Sequence, residues 1–155
     1  MRWVGFLLAG LLAALVLVST SVGSHTTAPQ HALVKTSYNK KMKTRIVVDA
    51  NGRTLYMFTA DLDGQSVCTP DKLGLSCVQL WPPLKSLKKP RAGAGINGSK
   101  LGVTVRSDKI HQAVYNHHPL YHYSGDKKPG DVVGQGYVGA WYVLSPAGKP
   151  IKKKP

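Results

Sequence analysis

One seven-residue segment occurs twice in the chain, and this repetition restricts the fold more than any other feature of the sequence. Leu55–Asp61 reads LYMFTAD and Leu120–Asp126 reads LYHYSGD, so that equivalent positions are 65 residues apart (120 − 55 = 126 − 61). Repetition at a fixed offset is typical of tandem structural units. The sequence therefore predicts two related units, at about 45–90 and 101–149.

Local patterns inside these units indicate β-strands. The runs 45–49 and 54–58 are rich in β-branched and aromatic residues and flank Asn51–Gly52, a dipeptide that favours a two-residue hairpin turn. With that turn, one strand face would be buried, and its members would be Ile46, Val48, Leu55 and Met57. The chain has 7 acidic residues, all Asp, and the lack of Glu disfavours a helix-rich fold.

We therefore expect an all-β, mainly antiparallel fold in which two tandem hairpin-based repeats pack as a small sandwich or barrel. The repeats would form a single domain over 45–149. No window of the sequence predicts an amphipathic helix.

The segments outside the repeats differ from them in composition. Arg2 precedes an apolar run, Trp3–Val18, and small residues follow it. This pattern predicts a signal peptide over 1–23, because 16 apolar residues fall short of the ~20 that a membrane-spanning helix needs. A retained anchor is the alternative. Polar composition predicts a flexible basic linker over 24–44 and a basic tail over 150–155.

The two cysteines, Cys68 and Cys77, both follow the predicted signal peptide. An even number of cysteines in an exported chain predicts a disulfide. The alternative, a two-thiolate metal site, lacks the second pair of ligands that such sites use.

The charge is strongly positive, with 21 Lys and Arg against 7 acidic residues and a formal net charge of +14. Export disfavours nucleic acid as a partner, so anionic cell-wall polymers or a membrane surface are the expected counterparts. A solvated surface without a specific target is the alternative. The basic residues cluster at Lys40–Arg45, Lys85–Arg91, Lys127–Lys128 and Lys149–Lys154.

Both repeated segments contain a tyrosine, a second aromatic residue two positions later and an aspartate three positions after that. With Trp81–Leu84, Pro129–Asp131 and Trp141–Tyr142, this motif resembles a secreted-repeat family of bacterial lipoproteins and secreted proteins, over about 45–149. The resemblance implies a secreted or cell-envelope protein with no established activity. The lipidation cysteine common in that family is absent, so we expect no lipid anchor. The motif residues are Tyr56, Phe58 and Asp61 in the first unit and Tyr121, Tyr123 and Asp126 in the second.

Two interpretations of these six residues are open. They could form two equivalent ligand-binding subsites. Alternatively, each aspartate could accept hydrogen bonds from the backbone of the following turn, with the aromatic side chains packed in or beside the core.

Histidines suggest one further site. A turn at Asn116–His117 would place His111 opposite His122 on one face of a hairpin, with Cβ atoms ~5 Å apart. Two imidazoles could bind copper or zinc if a third ligand joined them. The alternative is that they are solvated or packing histidines, and no cofactor is expected otherwise.

The sequence lacks the motifs of a nucleophilic serine, of paired catalytic carboxylates and of a phosphate-binding loop. We therefore expect no enzymatic activity. The leading hypothesis is a cell-envelope-associated β module with a structural or binding role. The alternative is a small metal-binding or redox protein that uses His111 and His122.

Overall fold

A computed structural model describes residue 1 and residues 30–155 of the protein. The predicted signal peptide, apart from its first residue, lies outside the described residues. The strands are β1 (Leu33–Asn39), β2 (Thr44–Asp49), β3 (Tyr56–Phe58), β4 (Arg91–Ala92), β5 (Leu101–Val105), β6 (His111–Tyr115), β7 (His118–Pro119) and β8 (Trp141–Val143). The helices are α1 (Gly74–Leu80) and two 3₁₀ turns, Gly98–Lys100 and Tyr137–Gly139.

The strands form three small sheets, with strand orders β2-β1-β4, β3-β8 and β5-β6-β7. Strands β1 and β4 pair in parallel, and the other strand pairs in the described residues are antiparallel. The prediction of a mainly antiparallel all-β fold is therefore confirmed. Helix α1 was not predicted, because its seven residues make only about two turns, too few to show a helical period.

The first unit begins earlier than predicted. Strand β1 pairs with β2 from Val34↔Asp49 to Asn39↔Thr44, as β5 pairs with β6 in the second unit. Val34 and Thr36 point into the protein and are buried. The prediction of a flexible linker as far as residue 44 is therefore wrong from the start of β1 onward.

The first hairpin has a different register from the predicted one. A two-residue turn at Asn51–Gly52 would pair Val48 with Leu55. The structure instead pairs Val48 with Thr54, one residue away. A shift of one residue moves a strand's side chains to the opposite face. Val48 and Leu55 accordingly lie in two different core clusters. Both faces of this strand are buried, so the apolar pattern could not determine its register.

The second hairpin has the predicted turn but a shorter ladder. Asn116 and His117 both have positive φ, 49° and 66°, and the pairs Tyr115↔His118 and Val114↔Pro119 follow. Beyond them the strands separate, because Leu84 enters between them. Its N–H donates to Leu120 O (2.8 Å), and its carbonyl accepts from Ala113 N–H (2.8 Å). The predicted pairing of His111 with His122 is therefore wrong.

The predicted disulfide between Cys68 and Cys77 is confirmed. It ties α1 to the preceding loop, and Trp81 N–H donates to Cys77 O at the end of the helix (2.8 Å). The rings of Trp81 and Trp141 then stack with centroids 3.9 Å apart. Both rings belong to one of the two core clusters.

The C-terminal tail is more closely attached than its composition suggests. Ile151 N–H donates to Val143 O (2.9 Å), and Leu144 forms a bridge with Pro150. In the part of the chain that the structure describes, no helix is long and apolar enough to cross a membrane.

Gly134→Ala tests the packing around the tryptophan stack. A Cβ at Gly134 would lie 2.8 Å from Trp81 Cη2 and 2.9 Å from Tyr123 Cγ. We expect a loss of ~1–3 kcal/mol in the free energy of unfolding, because overpacking displaces buried rings. Urea denaturation measures this loss. Gly102→Ala is the control, since a Cβ there meets nothing within 4 Å. Equal stabilities of the two variants would contradict the prediction.

Candidate functional site

The tyrosine–aspartate motif of each unit is completed by the other unit. The Tyr56 hydroxyl donates to Asp126 Oδ2, and the Tyr121 hydroxyl donates to Asp61 Oδ2, both at 2.7 Å. The backbones of the two tyrosines also exchange hydrogen bonds, from Tyr56 N–H to Tyr121 O (2.8 Å) and from Tyr121 N–H to Tyr56 O (3.0 Å). Because equivalent residues exchange equivalent bonds, an approximate twofold axis passes between the tyrosines.

The second oxygen of each aspartate holds the loop that follows it. Asp61 Oδ1 accepts from Val67 N–H, and Asp126 Oδ1 accepts from Val133 N–H, both at 2.8 Å. These are the backbone hydrogen bonds that the structural interpretation of the motif predicts. Each carboxylate thus joins the opposite unit to a loop of its own unit.

The remaining motif aromatics flank the tryptophan stack. The ring of Phe58 stacks on Trp141 (4.2 Å between centroids), and Tyr123 lies against Trp81 (4.5 Å). Tyr56 and Tyr121 are fully buried, and both aspartates are buried as well. The polar atoms of the motif therefore satisfy each other inside the protein, and a ligand is not needed to explain them.

Burial changes the protonation of these groups. It raises the pKa of Asp61 to about 6, against the opposing effect of the hydrogen bonds from Val67 N–H and the Tyr121 hydroxyl. Burial also raises the pKa of Asp126 and of both tyrosines. The phenols therefore remain protonated donors at neutral pH.

A buried arginine distinguishes the Asp61 half of the motif. Arg106 donates to Ser66 Oγ (3.0 Å), which lies 2.6 Å from the Tyr121 hydroxyl. The charge of Arg106 is balanced by Asp108, with a distance of 3.0 Å from Nη2 to Oδ2. This chain of polar contacts links Asp61 to the disulfide loop, since Arg106 also donates to Cys68 O (2.7 Å).

The two histidines of the suggested metal site have separate partners. His111 Nδ1 lies 3.3 Å from Leu87 O, and His122 Nε2 lies 3.0 Å from Asp49 Oδ2. Burial alone would raise the pKa of Asp49, but hydrogen bonds from His122 and Arg53 N–H outweigh it and lower that pKa. Within residues 30–155, no group of three or more His, Cys, Asp or Glu side chains could hold a metal ion.

A surface cleft of about 470 Å³ lies between the β1–β2 hairpin and the loop 128–131. Its apolar floor contains Ile46 and Val48, and the ring of Tyr38 lies beside it with 59% of the residue exposed. Its charged lining residues are three lysines and one aspartate, Lys40, Lys41, Lys128 and Asp131. We call this the lysine cleft.

Hydrogen bonds fix both walls of the lysine cleft. Asn39 Nδ2 donates to Gly130 O (2.9 Å), and the Thr54 hydroxyl donates to Asp131 O (2.5 Å). The Asp131 carboxylate accepts from the N–H groups of Lys128 and Lys127, which hold its pKa below the ordinary range. Contacts within the protein therefore hold the walls of the cleft in place.

A smaller cleft of about 170 Å³ occupies the equivalent place in the other half of the protein. At the 65-residue offset, His117 replaces Gly52, and Gly64 replaces Pro129. Asp63 replaces Lys128, and no lysine lines this second cleft. The two clefts therefore share a position in the repeat but differ in charge.

Sequence reasoning identified the basic clusters at 40–45 and 127–128 but not the cleft that joins them. The omission followed from assigning 24–44 to a linker, which removed β1 and Tyr38 from the domain. The alternation of β-branched Val34 and Thr36 with polar Lys35 and Ser37 was the available signal for that strand.

Removal of each tyrosine hydroxyl tests the exchanged pairs. We expect Tyr121→Phe to raise the pKa of Asp61 and Tyr56→Phe to raise that of Asp126, because each loses a hydrogen bond that favours its charged form. Each variant should also lose ~1–3 kcal/mol in the free energy of unfolding. Carboxyl NMR titration and urea denaturation measure the two effects, with Tyr38→Phe as an exposed control. A pKa shift in the aspartate of the same unit as the substituted tyrosine would contradict the exchange of hydrogen bonds between the units.

The pKa of Asp61 also predicts a pH dependence of stability. Its folded-state value of about 6 lies above the ordinary 3.8, so the native state binds this proton more tightly than the unfolded state. The stabilisation that this bound proton gives to the folded state is complete below pH 3.8 and is lost as the pH rises through 6. The stability difference between wild type and Asp61→Asn should therefore be up to ~3 kcal/mol larger at pH 4 than at pH 7.5.

Thermal or urea denaturation at the two pH values measures this difference. Asp63→Asn is the control, because Asp63 is exposed. A difference between wild type and Asp61→Asn that does not change with pH would contradict the prediction.

Comparisons with known proteins give one match. The family model described as a secreted repeat of unknown function matches residues 102–145, which lie within the second unit. No curated protein and no solved structure matches the chain. The family match confirms the resemblance to the secreted-repeat family and supports an extracellular location for the protein.

Proposed function

We propose that the protein is a non-enzymatic β module of the cell envelope that binds an anionic cell-wall polymer in the lysine cleft. In this proposal, a signal peptide over 1–23 directs export, and the mature protein carries no lipid anchor. The observation that carries the proposal is the convergence of Lys40, Lys41 and Lys128 on one preformed cleft.

The charge of the cleft supports an anionic ligand. Three lysines face one aspartate, and Asp131 already interacts with Lys41 Nζ at 3.8 Å and with two backbone N–H groups. The cleft thus keeps a positive charge without a ligand. Positive clefts raise the local concentration of anionic ligands and speed their association.

The shape and floor of the cleft support a sugar-containing or polyol-containing chain. Its volume of about 470 Å³ lies within the range of ordinary ligand clefts. Ile46 and Val48 give an apolar floor, and the exposed ring of Tyr38 offers a flat surface against which a sugar ring can pack. Binding would order few groups, because both walls are already held by hydrogen bonds.

The surroundings of the carboxylates support binding rather than catalysis. Asp61 and Asp126 are buried in hydrogen bonds with tyrosines, and Asp49 is paired with His122. In the lysine cleft, Asp131 is occupied by backbone N–H groups that keep its pKa low. A general acid or base needs a pKa near the working pH and access to a substrate.

Replacing the lysines of the cleft tests the proposal. We expect Lys40→Gln/Lys41→Gln/Lys128→Gln to weaken binding of a poly(glycerol phosphate) or polygalacturonate oligomer about tenfold in 0.1 M salt, because three ion pairs are lost. Isothermal titration calorimetry measures the affinity, with neutral dextran as a control ligand. Binding should weaken as salt rises.

The matched control removes the same charge elsewhere. Lys85→Gln/Lys88→Gln/Lys89→Gln neutralises three exposed lysines outside the cleft and should leave the affinity within about threefold of wild type. Equal losses in the two triple variants would refute a site in the cleft and indicate binding by net charge alone.

A further inference from the structure

A second surface combines exposed apolar side chains with unusual backbone geometry. Val133, Tyr137 and Val138 lie in one six-residue stretch of a loop. They are 62%, 38% and 77% exposed, respectively. We call these three residues the apolar tip. They lie outside the lysine cleft, whose lining ends at Asp131.

The backbone holds the most exposed of these residues in an unfavourable conformation. Val138 has φ 45° and ψ 24°, a left-handed conformation that is rare for a β-branched residue. Glycines at positive φ precede and follow this turn, at Gly136 and Gly139. Local strain of this kind persists where the surrounding structure imposes it, and it is concentrated at functional sites.

The tip is exposed, yet its base is fixed. The Tyr137 ring packs against Trp81, with centroids 5.7 Å apart, and Gly136 N–H donates to Trp141 O (2.8 Å). Val133 N–H is held by Asp126 Oδ1 (2.8 Å). The apolar side chains are therefore presented to solvent from a rigid base.

Basic residues are held beside the apolar tip. Gln135 lies between Val133 and Tyr137, and its Nε2 donates to Ile151 O (2.5 Å) and Lys153 O (3.0 Å). These bonds bring the exposed lysines Lys152–Lys154 to the loop. In the described residues, none of the three ion pairs involves these lysines.

We propose that the apolar tip and Lys152–Lys154 form a peripheral docking surface for an anionic lipid bilayer. Valine side chains would enter the boundary between headgroups and acyl chains, and the tyrosine would lie at the headgroup level. The lysines would contact anionic headgroups. The combination of apolar tip and adjacent charge favours a lipid surface, because a soluble polyanion offers no apolar phase to the valines.

Vesicle sedimentation of the full mature chain tests this surface. We expect binding to large vesicles of phosphatidylcholine with 30% phosphatidylglycerol and much weaker binding to pure phosphatidylcholine. Val133→Ser/Val138→Ser should weaken the partition coefficient about tenfold or more, because two apolar side chains lose their burial. Each neutralised lysine in Lys152→Gln/Lys153→Gln/Lys154→Gln should weaken it about fivefold at low salt.

Two controls separate the docking surface from general effects. Leu75→Ser removes an apolar side chain of similar exposure, 65%, from α1 and should leave vesicle binding unchanged. The triple lysine-to-glutamine variant of the lysine cleft should also keep most of its vesicle binding, so that the two proposals can fail separately. Circular dichroism and urea denaturation confirm that each variant is folded.

Several outcomes would overturn the proposal. Unchanged vesicle binding in Val133→Ser/Val138→Ser would show that the tip does not enter the bilayer. An equal loss in Leu75→Ser would show a general effect of surface apolarity. Absence of binding by the wild type to anionic vesicles would exclude a lipid partner altogether.

Discussion

The two exchanged tyrosine–aspartate hydrogen bonds explain why the repeat occurs twice within one domain. Tyr56 and Tyr121 are fully buried, and each finds its carboxylate acceptor only in the opposite unit. In one unit alone, a phenol and a carboxylate would lack these partners. Each of these groups that stayed buried would destabilise the folded state by ~1–3 kcal/mol. The polar centre therefore joins the units, and the stacked Trp81 and Trp141 extend that junction with one ring from each unit.

The symmetry of this centre does not extend to the surface. Lys128 lines the larger cleft, whereas its equivalent Asp63 lines the smaller one. Arg106 is buried beside the Tyr121–Asp61 pair and is neutralised by Asp108. The units thus share the contacts that assemble the domain and differ in the residues that a ligand would meet.

Short-range features of the fold could be predicted from the sequence, and long-range ones could not. Asn116 and His117 form the predicted turn because both accept positive φ. The register of the first hairpin could not be predicted, because an alternation of apolar and polar residues identifies the buried face only when the other face is solvated. Strand β2 is buried on both faces. The lysine cleft depends on the hydrogen bond between Asn39 and Gly130, which are 91 residues apart. No local sequence pattern indicates such a contact.

The buried motif also determines where the proposed binding surfaces can lie. The loop that follows Asp126 forms one wall of the lysine cleft and then, where Asp126 Oδ1 holds Val133 N–H, continues into the apolar tip. Tyr56 fixes this aspartate from the other unit. The equivalent loop after Asp61 lines the smaller cleft and then leads to Cys68 and the disulfide. One tyrosine–aspartate pair therefore supports the loop that carries both proposed binding surfaces, whereas the other pair supports the loop that ends at the disulfide.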